Sequence, residues 1–206
     1  MGLVITIGRS YGSGGRTMGK LLAKELGLKY YDRELVRMAS DKSGISEELF
    51  GAADEYVKVT PLFKMKRKDI GDIPFTADNG EFASNDNLYR FQAQVIKEIA
   101  KEGDCVIIGR CANHVLRDDP NVIRLFCYAP LEDCIAREKA LSGLDDKDII
   151  KKIEKIDKVR ADYYRYYTGC EWNDADNYDL CINTASMSYE QLLKVVKVYI
   201  EEYKNK

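Results

Sequence analysis

Hydrophobic positions along the chain follow two rhythms. Short, solid apolar runs occur at Leu3-Val4-Ile5-Thr6-Ile7, at Val106-Ile107-Ile108, over 122–128 and at Leu180-Cys181-Ile182. Leu28-Lys29-Tyr30-Tyr31 is a shorter extended piece that ends at Asp32. Runs of this length and purity suit strands covered on both faces. Between them, apolar residues recur every three or four positions. Met18, Leu21, Leu22 and Leu26 share one helical face, and Gly27 ends it. A helix is expected over 34–40. Ser46 is a candidate N-cap, with Glu47 and Glu48 in the first turn of a helix reaching about Tyr56. Leu88, Phe91, Val95 and Ile99 mark a further helix stopped by Gly103. Others are expected over 131–141, over 146–167, and around Leu192, Val196, Tyr199, Ile200 and Tyr203.

Strands alternating with helices predict an α/β fold, a parallel sheet covered on both faces by helices. Residues 1–206 read as one domain. Within it, 58–87 loses apolar periodicity and is punctuated by Pro61, Gly71, Pro74 and Gly80. It is expected to be a mobile insertion, and its Lys64, Lys66, Arg67 and Lys68 a solvated cluster or a flap over substrate.

Ligands in such sheets gather at the carboxyl ends of the strands. After the first strand comes Gly8-Arg9-Ser10-Tyr11-Gly12-Ser13-Gly14-Gly15-Arg16-Thr17. A strand, a glycine-rich turn and a helix start make an anion cradle, because turn amides and the helix dipole converge there. This is the arrangement of a P-loop holding a nucleoside triphosphate. Gly14 stands at the last glycine, but Gly15 holds the lysine position, followed by Arg16 and Thr17. Arg16 can supply the positive charge, approaching from an angle about 100° further round the helix. The plainer alternative is a tight structural turn with an exposed arginine.

Asp32 follows the second strand and Gly109-Arg110 the third, so both should lie beside the loop, with Arg110 projecting over it. Arg137 lies on the next helix. Asp157 and Arg160 share a face of the long helix, as site residues or as a plain ion pair. Tyr163-Tyr164-Arg165-Tyr166-Tyr167 continues that helix and suits core or interface packing better than base stacking.

Composition narrows the classes. The net charge of −2 indicates no general nucleic-acid surface. Six cysteines without a C-x-x-C pair, and a single histidine, His114, argue against zinc. No leader precedes the first strand and no segment has transmembrane length, so a reducing cytoplasm is expected, without membrane partners. A tyrosine-rich helix could support a homodimer.

Together these segments resemble the cytidylate kinase-like family of nucleoside monophosphate kinases. Gly12 to Arg16 stands where true cytidylate kinases have Gly-Ser-Gly-Lys-Gly. Tyr31-Asp32-Arg33 is similar to their Leu-Asp-Ser, Gly109-Arg110 to Gly-Arg-Asp, and Asp157 with Arg160 to Asp-x-x-Arg of a lid helix. The stretch from Asp179 to Thr184, and the helix opened by Ser188-Tyr189-Glu190-Gln191, are similar to the last strand and helix. The resemblance implies a P-loop kinase fold with a lid region at 137–168, ATP and Mg2+. It implies transfer of the γ-phosphoryl group to a nucleoside monophosphate, CMP or dCMP first. Gly12, Ser13, Gly14, Gly15, Arg16 and Thr17 would hold the donor phosphates, and Thr17 would reach magnesium. Asp32, Arg33, Arg110 and Asp157 would bind the acceptor. Arg16, Arg110, Arg137 and Arg160 would act on the transferring group. Cys111 and Asn183 replace aspartates of the family, which leaves the acceptor open. Another small acceptor, or a nucleotide sensor without turnover, are the alternatives.

Overall fold

A computed structural model of the chain describes residues 2–52 and 85–205. Five strands form one sheet: β1 (Val4–Arg9), β2 (Lys29–Tyr31), β3 (Cys105–Ile108), β4 (Val122–Tyr128) and β5 (Leu180–Asn183). Their order is β2-β3-β1-β4-β5 and every neighbouring pair is parallel. Parallel neighbours need long crossovers, supplied by α1 (Gly15–Leu26), α2 (Glu34–Ser43), α3 (Glu47–Ala52), α4 (Asn85–Glu102), α5 (Ala112–Val115), α6 (Leu131–Ser142) and α7 (Asp146–Thr168). Helix α8 (Tyr189–Lys204) closes the fold.

Successive residues of a strand point to opposite faces, and here both faces are buried. Val4, Cys105, Ile107 and Val122 pack against α2 and α4 through Leu35, Ala39, Val95, Ile96 and Ile99. Ile5, Ile7, Val106, Ile108, Ile123 and Leu125 pack against α1 and α8 through Met18, Leu22, Val196 and Ile200. Two cores sharing one sheet explain why the central strands are mostly apolar on both faces. The tyrosine run of α7 is core packing: Tyr163, Tyr164 and Tyr167 are buried. Tyr89 of α4 stacks on Tyr167 with centroids 4.0 Å apart and planes within 6°.

Three expectations need correction or limits. Residues 85–87 open α4 rather than close the insertion. Nothing apolar announces this turn, but Asp86 suits the positive end of the helix and accepts a hydrogen bond from Tyr166 Oη at 3.2 Å. Residues 58–84 and the expected end of α3 near Tyr56 lie outside the described residues. Helix α5 was not foreseen; its four residues are too few to carry a period. Among the described residues no helix is long and apolar enough to cross a membrane.

Ile5 is fully buried in the central strand. Ile5→Ala is expected to cost about 2–5 kcal/mol in a urea melt, and a loss under about 1 kcal/mol would contradict this packing.

Candidate functional site

From β1 the chain visits β2 and β3 on one side, then β4 and β5 on the other. The strand order therefore reverses at β1, and a crevice opens beyond its carboxyl end. The turn joining β1 to α1 fills that place. Ser10 N donates to Cys127 O at 3.0 Å. Ser13, fully buried, donates its hydroxyl to Ser10 O at 2.8 Å and accepts from Gly15 N at 3.3 Å. Gly12 and Gly14 have φ of 74° and 79°, the left-handed region that glycine enters without steric cost.

The outer side of the turn is held by side chains from three other elements. Arg137 Nη1 donates to Ser13 O at 2.9 Å and to Thr184 Oγ1 at 3.1 Å, and its Nη2 donates to Thr184 O at 2.9 Å. The Thr184 hydroxyl donates to Ser13 O. Asp157 Oδ1 accepts from Tyr11 N at 2.8 Å. Arg160 Nη1 donates to Arg9 O at 2.9 Å and to Asp157 Oδ1 at 3.1 Å. Asp157 and Arg160 are thus both an ion pair and a clamp on the turn.

Inside the turn lies a cavity of about 550 Å3, lined by loop residues Ser10, Tyr11, Gly12, Gly14, Gly15 and Thr17, with Leu141 and Tyr189 at its rim. Arg9, Arg16, Arg137 and Arg160 also line it, against Glu138 as the one lining carboxylate. Helix α1 starts at this cavity with Gly14 as its N-cap, no side-chain cap and no acidic residue in its first turn. The positive end of the helix dipole and four guanidiniums therefore share one space, an arrangement suited to a multiply charged anion.

The expected site residues divide into two groups. Gly12, Gly14, Gly15, Arg16, Thr17, Arg137 and Arg160 line the cavity, and Ser13 lies buried behind it. Arg16 also pairs with Asp32, Nε to Oδ2 at 2.6 Å and Nη2 to Oδ1 at 3.3 Å, so the end of β2 is joined to the loop. Arg33 is exposed just before α2. Arg110 does not project over the cavity. Its φ of 58° turns it inward; the side chain is buried and donates to Gln92 Oε1 at 3.2 Å. Gly109, Arg110 and Cys111 form three consecutive left-handed residues, a strained turn of a kind concentrated at functional sites.

Several residues went unforeseen. Thr184 had one signal, a hydroxyl at the carboxyl end of the last strand. Glu138, beside Arg137 in sequence, accepts Tyr11 Oη at 3.0 Å and Lys152 Nζ at 2.6 Å on one oxygen. The Tyr11 ring lies under Lys152 and Arg160, 5.3 and 5.7 Å from its centroid. Through these contacts α6, α7 and the loop act on each other.

Over residues 4–186 the sequence matches the family model described as cytidylate kinase-like. The chain belongs to the cytidylate kinase-like family. Cytidylate kinase from Methanopyrus kandleri is 26% identical over 208 residues, covering 97% of this chain and 93% of that protein. An uncharacterized protein from Eubacterium ventriosum superposes with a TM-score of 0.69 at 25% identity, over 97% of this chain and 98% of that one. Shikimate kinase from Bacteroides thetaiotaomicron superposes with a TM-score of 0.56 at 15% identity, over 97% of this chain and 98% of that one, a likeness of fold alone. The resemblance and the P-loop kinase fold expected from it are borne out. Family and fold together support an ATP-dependent phosphotransferase.

Burial pushes the Asp157 carboxyl above its ordinary 3.8, against the pull of Arg160 and the Tyr11 amide. The folded chain then binds this proton more tightly than the unfolded chain. The group's contribution to stability is fullest below the ordinary aspartate value and falls as pH rises through the raised one. Asp157→Asn does not titrate, so its melting temperature relative to wild type should climb as pH rises from the ordinary aspartate value of 3.8; a flat or falling difference would contradict the shift.

Proposed function

We propose that the chain transfers the γ-phosphoryl group of ATP to a nucleoside monophosphate, with CMP or dCMP the first acceptors to try. The observation that carries this reading is the cavity. Four arginines and an uncapped helix start line a space of about 550 Å3, with Glu138 the one lining carboxylate and Asp32 and Asp157 pairing with Arg16 and Arg160 from beside it. Such a concentration of cations suits a polyphosphate, and phosphoryl transfer needs positioning and positive charge more than covalent help. The turn amides and Thr17 hold the donor phosphates in this scheme. Arg16 stands between them and the acceptor side, where Asp32 orients it.

Magnesium fits the donor set. Among the described residues no three His, Cys, Asp or Glu side chains form a ready-made metal site. Mg2+ bound to a nucleotide takes most of its oxygens from phosphate and water and needs little from the protein. Thr17 offers the hydroxyl, exposed and at the cavity wall; when bound, the ion would neutralise charge on the phosphates.

For the acceptor, Asp32 is joined to the loop through Arg16 and Asp157 through the Tyr11 amide, Arg33 follows Asp32 as an exposed residue, and Arg110 would reach a phosphate only by leaving Gln92. A second reading, a nucleotide sensor without turnover, is favoured by glycine at the lysine position and by the Arg16–Asp32 pair. An acceptor screen separates the two. ADP formation from MgATP is measured with CMP, dCMP, other nucleoside monophosphates and small hydroxyl compounds. ADP above the blank with CMP or dCMP is expected. Product only with a hydroxyl compound would reassign the acceptor, and tight ATP binding without product on any acceptor would favour the sensor.

Arg16→Ala tests the loop arginine. With the melting temperature near wild type, turnover is expected to drop by about a thousandfold, the low end of what an arginine contributes at a transferring phosphoryl group. Unchanged turnover would remove Arg16 from the reaction.

A further inference from the structure

The loop position that carries lysine in the usual P-loop holds Gly15, and its backbone gives no reason for glycine. Gly15 is the first residue of α1 and is not among the glycines with positive φ. The reason is space. A Cβ at this position would stand 2.6 Å from Arg9 Cβ, 3.3 Å from Arg9 Cγ and 2.8 Å from Cys127 Cβ. The stem of Arg9 occupies the room through which a side chain at position 15 would leave the backbone. Arg9 is the last residue of β1, paired in register with Cys127 of β4. It is 3% exposed, and it lines the cavity.

The geometry points to Arg9 as a second phosphate-binding cation of this cavity, one that takes over from the strand end the charge that a loop lysine would bring. A side chain at 15 would overlap Arg9 Cβ and Cys127 Cβ, so at this end of the cavity the cation comes from the strand and not from position 15. An anion entering the cavity would meet this buried guanidinium close to the start of α1, where the helix dipole also favours negative charge. The guanidinium can also chelate two phosphate oxygens, which an ammonium cannot do in that planar geometry.

The assignment rests on the polyphosphate site proposed above, and the experiment keeps the two apart. The full chain and the variants Arg9→Met, Arg9→Gln and Arg9→Lys are titrated calorimetrically with MgATP and with inorganic tripolyphosphate, each after a check of its melting curve. Arg9→Met fills the same stem space without charge. Met and Gln should weaken both probes by about tenfold to a hundredfold, the loss expected for one charged hydrogen-bond donor, with Lys in between. Met and Gln variants that bind like a binding-competent wild type would overturn the role of Arg9 and leave the site standing. A wild type that binds neither probe would overturn the site and, with it, the role of Arg9. If none of the three variants folds while the wild type does, Arg9 is a structural ion and the assignment is overturned.

Discussion

The structure around the cavity depends on one requirement: the backbone groups of the turn between β1 and α1 must find partners outside any helix or strand. Buried peptide groups left without hydrogen bonds are costly. Here the partners are side chains. Ser13 O receives Arg137 and Thr184, Tyr11 N reaches Asp157, and Arg9 O receives Arg160. The turn is therefore shaped by α6, α7 and the end of β5, elements that lie more than a hundred residues away in sequence. What the turn presents inward follows from this outer support. With their outer side satisfied, the glycines can hold left-handed backbone and the helix start can face the cavity.

The same contacts decide how the positive charge is held before an anion arrives. Arg16 lies against Asp32, and Arg160 against Asp157. Arg137 is held by carbonyls and a hydroxyl. Burial pushes the Asp157 carboxyl up. The guanidiniums are thus held in place beside the cavity by their partners before an anion arrives.

The sheet and the cradle were legible in the sequence because their causes are local. Four short apolar runs and one shorter extended piece became the five strands, and strand, glycines and helix start lie within twenty residues of one another. The direction of Arg110 was not legible. Sequence places it after β3, but whether its side chain faces ligand or core depends on three left-handed residues and on Gln92 of α4. Residues 85–87 read as loop because a polar first turn has no apolar period. Arg9 was quoted with the loop but not singled out. Its significance comes from the contact with Gly15 and Cys127, and spacing along the chain does not report which of two neighbouring backbones takes a shared volume.

Arg137 and Arg160 connect the observed geometry to the lid movement that the resemblance implies. Both line the cavity, yet both have donors committed to backbone carbonyls of the turn. To act on a transferring phosphoryl group, each must exchange or share a carbonyl for a phosphate oxygen. That exchange is favourable, because a hydrogen bond between two charged groups is stronger than one to a neutral carbonyl. It also has a mechanical consequence. Releasing Ser13 O and Arg9 O would loosen the hold of α6 and α7 on the turn, with Thr184 still on Ser13 O, while bound phosphates would link the turn and the arginines. The ligand would replace the side-chain braces as the link between loop and helices, and so couple its own binding to the position of the 137–168 region.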